Sequence, residues 1–436
     1  MTNRKILHAA DIHLDSPLQS LDRYEGAPAE EIRLASRRAL TAMVDTAIDR
    51  KVDLVVIAGD LYDGDWQHMN TGLFFVKEAS RLVREGIPMA VIRGNHDAAN
   101  KMTASLPLPT NPDGSSILLN EKRVDLRRFD ELQIAIHGRS YKTRAEVGNM
   151  AEAYPDPLPG VFNLGLLHTS LTGAEGHEPY APCTPRQLAD KQYDYWALGH
   201  IHTRGEHQVE GAAPVVFSGN IQGRHARETG AKGCIIVEVD EQNQTDRVFV
   251  PLDVVRWEVC AVDVTGMSVL DEIMDAAESW IDETLQQLNE SEQDRLLAMR
   301  VRLIGESGMH ANLLRNANRL ESDLRSLVVQ RGNGQVWLEK VRIKTTSLPD
   351  KVEERTTNMD GPIESLHEVI RGLRQQGDLD TQVDRWLTSL SNKLPPDVPR
   401  LNRPNIGNEE SEWASSVLDA AAAELEGRLQ NRKDSA

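Results

Sequence analysis

His200 and His202, in LGHIHTRG, stand two residues apart behind a glycine, where a short apolar run gives out. Similar donors recur upstream. Asp11 and His13 follow KILHAA, Asp60 closes VVIAGD with Asp63 three residues on, Asn95 and His96 close VIRGNHD, and His168 closes GLLH. Imidazole, carboxylate and amide oxygen are the donors of hard and borderline cations, and such ions polarise phosphoryl or carbonyl oxygens and activate water. Each piece alone has a plainer reading: D-x-H as a turn with a satisfied core histidine, GD and GDLYD as helix caps, GNHD as a turn, LLH as a buried histidine. Their conjunction argues for a site, because five strand ends carry ligand-type residues where open α/β sheets place their chemistry.

The elements that must position these residues are legible as apolar runs bounded by glycine. KILHAA, DLVVIAG, PMAVIRG, LQIAIHG, FNLGLLH, YWALGH, PVVFSG and GCIIVEV read as buried strands, with amphipathic helices over 33–50 and 70–85. This predicts an α/β domain over residues 1–252. A smaller α+β module is expected over 253–348: strand RWEVCAVDV, helix 268–288, strand LLAMRVRLIG, helix 309–329 and strand QVWLEKVRIKT. Residues 349–436 read as a helical C-terminal region, with a proline-containing linker near 394–411 and apolar faces at 379–394 and 413–429.

Composition narrows the function. Three separated cysteines, Cys183, Cys234 and Cys260, make neither a disulfide framework nor a thiolate metal site. No stretch reaches the length of an apolar membrane span, so a soluble, cytoplasmic protein is expected. A net charge of −18 argues against coating nucleic acid by bulk electrostatics. It leaves room for a nuclease whose ions supply the positive charge locally. No G-x-x-x-x-G-K-[ST] is present, so no P-loop ATP site is expected in this chain.

The pattern D-x-H, GD-x-x-D, GNHD, H, GH-x-H over residues 11–202 resembles the calcineurin-like metallophosphoesterase superfamily. HAADIHLDSPL, IAGDLYDG, DYWALGHIH and GNIQGRHARETGAKGC are similar, more closely, to the SbcD-type DNA repair exonucleases, in particular their YhaO-like branch. The resemblance implies a four-layer αββα metallophosphoesterase sandwich followed by a cap that orients DNA. It also implies two divalent metal ions, with manganese first and iron or zinc as alternatives. Asp11, His13, Asp60 and His202 would hold one ion, and Asp60, Asn95, His168 and His200 the other. On an extended segment His200 and His202 would project to the same side and reach one ion each, with Ile201 facing the interior. A carboxylate suits the shared position, which makes Asp60 the expected bridge.

By the same resemblance His96 is catalytic and Asp63 hydrogen-bonds it, keeping the imidazole charged. Arg224, His225, Arg227 and Lys232 gather after a strand and are expected to meet phosphates of the strand being cut. The implied function is a metal-dependent DNA phosphodiesterase, an exonuclease with endonuclease activity also open, acting in repair. The implied partners are DNA and an SMC-like coiled-coil ATPase (YhaN- or SbcC-like) gripped by the C-terminal helices, and a homodimer is compatible. The same chemistry on a small phosphodiester or a phosphoprotein is the first alternative, and a non-catalytic scaffold of the same fold the second.

Overall fold

Apolar runs buried on both faces set the architecture. The computed structural model describes residues 3–16, 28–63, 69–98, 106–171, 180–289, 295–348 and 362–375, with isolated residues between 385 and 425. The chain divides into two units: residues 1–260 with 278–301 and 327–340, and residues 261–277 and 302–326 with 341–436.

In the first unit, β1 (Arg4–Ala9), β2 (Leu54–Ala58), β3 (Met89–Ile92), β10 (Gly233–Val239) and β11 (Thr245–Pro251) form a sheet of order β11-β10-β1-β2-β3. β1, β2 and β3 are parallel, with Leu7 opposite Val55 and Val56 opposite Ala90. A second sheet comprises β4 (Asp125–Phe129), β5 (Ile134–Gly138), β6 (Phe162–His168), β7 (Tyr195–Gly199), β8 (Gly205–His207) and β9 (Val215–Phe217). Its order is β4-β5-β6-β7-β9-β8, and β5, β6, β7 and β9 are parallel.

Strand alternation then builds the layers. Leu54, Val56 and Ala58 of β2 pack with Leu164, Leu166 and Ala197 of the second sheet, so the sheets meet face to face. Val55 and Ile57 point the other way, onto Leu40, Met43 and Val44 of α1 (Ala29–Asp49) and Phe75, Ala79 and Leu82 of α2 (Met69–Arg84). The outer face of the second sheet, Trp196, Leu198, Val215 and Phe217, is covered by Met150, Tyr154, Leu188 and Tyr193. This is the expected αββα order, with a thin fourth layer made from one short helix, Pro185–Ala189, and a 3₁₀ turn.

The remaining strands, β12 (Val255–Asp263), β13 (Leu296–Glu306) and β14 (Val336–Thr346), form a three-stranded sheet in that order. Within the second unit the N–H of Val264 donates to Ile304 at 2.9 Å and that of Ser307 to Thr346 at 2.9 Å. The expected single helix over 309–329 is two, His310–Arg315 and Ala317–Gly332. The break falls at Asn316, whose backbone N–H and side-chain amide both donate to the Asn312 carbonyl, at 3.0 and 3.1 Å.

Three edge strands, β4, β8 and β11, escape the sequence reading because they carry polar, half-exposed residues. The helix Pro362–Gln375 carries Ile363, Leu366, Ile370 and Leu373 as expected. The apolar faces read at 379–394 and 413–429, and the linker at 394–411, lie almost wholly outside the described residues. Among the described residues no helix is long and apolar enough to cross a membrane.

Candidate metal centre

The ligand-type residues leave five parallel strands, three from the first sheet and two from the second. The single sheet edge expected from sequence is therefore a junction between two sheets. Backbone bonds tie the strand ends within each sheet: Asp11 N–H donates to Gly59 at 3.0 Å and His13 N–H to Asp60 at 3.0 Å in the first, and Thr169 N–H to Gly199 at 3.1 Å in the second. The His200 N–H, from the second sheet, donates to both carboxylate oxygens of Asp11, at 3.0 and 3.1 Å.

Four of these residues hold left-handed or otherwise positive φ: Asp11 at 50°, His13 at 45°, Asp60 at 50° and His200 at 103°. Such conformations are uncommon for residues with a Cβ and gather at functional sites. The turn at His200 corrects one expectation. His200 and His202 are separated by a bend, not a pleat, and Ile201 packs partly buried against the outer cluster of the second sheet. The glycine in front of two motifs also has a physical cause. A Cβ on Gly94 would lie 2.3 Å from Asp60 Oδ1, and one on Gly199 would lie 2.0 Å from the Ala58 carbonyl oxygen.

Seven side chains converge there. His13 Nε2 faces His202 Nε2 across 3.1 Å. Asn95 Oδ1 lies 2.9 Å from His168 Nε2 and 3.2 Å from His200 Nδ1. Asp60 Oδ2 sits between the two groups, 3.8 Å from His13 Nε2 and 3.5 Å from His168 Nε2. Asp11, His13, Asp60, Asn95, His168 and His200 are buried, and His202 is partly so.

The electrostatics follow from that crowding. Burial would raise the Asp60 pKa, but His168, His13 and His96 hold it well below the usual carboxylate range. Burial keeps His13 neutral, aided by Arg224 and His202. At His168 burial opposes protonation, yet Asp60 and Asp11 bring the pKa up to about 9. Its Nδ1 donates to the Ala58 carbonyl at 2.8 Å, leaving Nε2 aimed at Asn95 and Asp60.

These residues fit a divalent cation. Two imidazole nitrogens point at each other, and His13 Nδ1 is buried with no hydrogen-bond partner among the described residues, an arrangement that offers both rings to one cation. Three overlapping sets, Asp11 with His13 and His202, His13 with Asp60 and His96, and Asp11 with Asp60 and His168, each hold donor atoms within 4.8 Å of one another. Two carboxylates, an amide and four imidazoles without thiolate make a hard-to-borderline donor set. A separate cleft of about 870 Å³, lined by Val52, Ile87 and Phe129 at the opposite ends of β2 and β3, contains none of them.

His96 stands at the rim, and its Nδ1 is 2.6 Å from Asp63 Oδ1. Its pKa is raised: burial works against the charge, and Asp63 and Asp60 overcome it. Asp63 also accepts from the Ser16 hydroxyl and faces Arg224 Nη1 at 3.4 Å.

The loop expected to meet phosphates is largely internal. Arg224 pairs with Glu228 at 3.0 Å, and that partner keeps it charged despite burial. Lys232, expected to meet phosphate, is buried, and its Nζ donates to the His202 carbonyl at 2.9 Å. His225 is partly buried with Nε2 3.8 Å from Glu228, and Arg227 alone of the four is exposed. Lys232 is turned inward because the loop runs straight into β10.

Two acidic residues are not legible as site residues in the sequence. Glu228 Oε1 lies 2.7 Å from His202 Nδ1. Burial would raise the Glu228 pKa, and His202 and Arg224 push it well below the ordinary value. Asp97 is buried and accepts from the N–H groups of Leu61 at 3.0 Å, Tyr62 at 2.8 Å and Gly94 at 3.1 Å, tying the GDLYD segment to GNHD. Its place as the acid at the end of GNHD is the one signal that points to it.

Residues 4–204 match the calcineurin-like phosphoesterase family, and residues 257–346 match the middle domain of metallophosphoesterase YhaO. The chain is 36% identical over 265 residues to "Uncharacterized metallophosphoesterase YhaO" of Bacillus subtilis (strain 168), covering 61% of this chain and 64% of that protein. It is 28% identical over 223 residues to "DNA double-strand break repair protein Mre11" of Sulfurisphaera tokodaii, covering 50% and 54%. A second Mre11 repair protein, that of Methanopyrus kandleri, is 24% identical over 286 residues, covering 60% of each chain. The matches thus span between about half and two thirds of the lengths of these relatives. The chain carries a calcineurin-like phosphoesterase domain over residues 4–204 and, over residues 257–346, a middle domain of the YhaO metallophosphoesterase type.

Proposed function

We propose that this chain is a manganese-dependent DNA phosphodiesterase, an exonuclease with the residues over 257–346 acting as the DNA-orienting cap. One observation carries the chemistry: seven buried or half-buried donors from two sheets meet with Asp60 Oδ2 between two histidine groups. Asp11, His13, Asp60 and His202 would hold one ion, and Asp60, Asn95, His168 and His200 the other. When bound, a pair of divalent ions supplies positive charge at the scissile phosphate and makes water a nucleophile at neutral pH.

The chain's own residues do the rest. His96, held charged by Asp63 and partly exposed, donates a hydrogen bond to a phosphoryl oxygen or delivers a proton to the leaving oxygen. Ala58, through its carbonyl, fixes the ring of His168. Arg227, exposed on the loop after β9, is left to meet the DNA backbone, whereas Lys232 supports His202 from beneath.

DNA as substrate is favoured by the Mre11 relatives and by the domain that follows the phosphoesterase. A coiled-coil ATPase of the SMC type is the partner we assign, with repair in the cytoplasm as the setting. Hydrolysis of linear duplex, single strand and small phosphodiesters assayed in parallel tests the substrate. Preference for DNA is expected, and equal or faster turnover of small diesters would contradict it.

A further inference from the structure

We infer that Glu228 is a positioning residue that sets the tautomer of His202, so that Nε2 presents a lone pair to the metal. The inference rests on reading His202 as a ligand. A histidine binds a cation through an unprotonated nitrogen, and whatever bonds to its other nitrogen decides which one that is.

Glu228 and Arg224 meet His202 Nδ1 with opposite demands. Glu228 Oε1 lies at 2.7 Å and can only accept, whereas Arg224 Nη2 lies at 3.2 Å and can only donate. If the guanidinium won, Nδ1 would be the acceptor and the ring proton would sit on Nε2, pointing at His13. The closer carboxylate reverses this and puts the proton on Nδ1.

Glu228 is itself fixed on both oxygens. Its Oε2 accepts from the Arg224 N–H at 2.7 Å and from Asn220 Nδ2 at 3.0 Å, while Oε1 also accepts from Arg224 Nη2 at 3.0 Å. Arg224 is thereby occupied, satisfied by Glu228 and Asp63 instead of by His202. The loop that carries both residues is pinned by Gln222 and Trp257. Gln222 Nε2 donates to the Val255 carbonyl at 2.7 Å, and Trp257 Nε1 donates to that of Gly223 at 2.9 Å.

The test is manganese affinity by calorimetry on the full chain, comparing wild type, Glu228→Gln, His202→Ala and the double variant. Glutamine keeps the shape but offers one acceptor for two sets of donors. Glu228→Gln is expected to bind manganese about 10- to 100-fold more weakly. In the His202→Ala background it should add no further loss, because the residue acts through that ring. Unchanged affinity, or the same additional loss without His202, overturns the inference while leaving the ligand reading intact. Unchanged affinity and stoichiometry in His202→Ala alone would instead sink the ligand reading itself, and the inference with it. If Glu228→Gln does not fold, nitrogen NMR of the metal-free wild type decides, with the His202 resonance assigned by its loss in His202→Ala. A proton on Nδ1 is expected, and one on Nε2 contradicts the inference.

Discussion

His96 Nδ1 and Asp63 Oδ1 lie 2.6 Å apart, and the same Asp63 carboxylate faces Arg224 through its other oxygen. The aspartate is one end of a charged chain that reaches His202 through Arg224 and Glu228. This pairing raises the His96 pKa. The acid form is present below that pKa and is lost as pH rises through it. Asp63→Asn removes the charge that holds the proton, so the alkaline limb of the pH–rate profile should move to lower pH. Turnover should fall roughly 10- to 1000-fold with metal content intact.

Combining Asp63→Asn with His96→Asn should add little to His96→Asn alone, since residues acting as a unit are non-additive. Steady-state kinetics on the three variants checks this. Fully multiplicative losses would show that the two residues act independently.

Gly199→Ala should destabilise the fold and perturb the site together. The new methyl would press on the Ala58 carbonyl oxygen and lie 2.9 Å from His168 Nδ1, where backbone has little freedom to move. A cost of about 1–3 kcal/mol or more is expected from overpacking of this kind. Urea unfolding measures it, and a wild-type transition would contradict the contact.

Asp97→Asn puts an amide donor among three backbone N–H groups that now point at carboxylate oxygens. Losing an acceptor there should cost about 1–3 kcal/mol. Thermal unfolding without metal is the readout, and Asp97→Ala should be at least as damaging.

What can be read from sequence follows from how strongly each feature is constrained locally. FNLGLLH and GCIIVEV give strand limits to the residue, because a strand buried on both faces is a largely apolar run. Asp11, Asp60, Asn95, His168 and His200 stand out because each directly ends such a run. That two sheets, not one, contribute them depends on Leu166 and Val56 packing across layers, which no local pattern records. Glu228 is invisible for a related reason. It sits in an irregular loop, and its meaning comes from a contact with a residue 26 positions away. Lys232, in the same loop, is misleading because a basic residue in a polar stretch carries no mark of the buried carbonyl it reaches.

Hydrolysis of end-labelled DNA by the purified chain, with manganese and with chelator, measures most directly whether the clustered donors hold divalent metal for phosphodiester cleavage. Manganese-dependent cleavage is predicted for wild type. Asp60→Asn, which weakens the carboxylate oxygen shared between the His13 and His168 groups, should abolish that cleavage while the variant keeps its fold by circular dichroism. Wild-type rates from an Asp60→Asn protein verified to be free of metal, or cleavage that persists in chelator, would contradict the account.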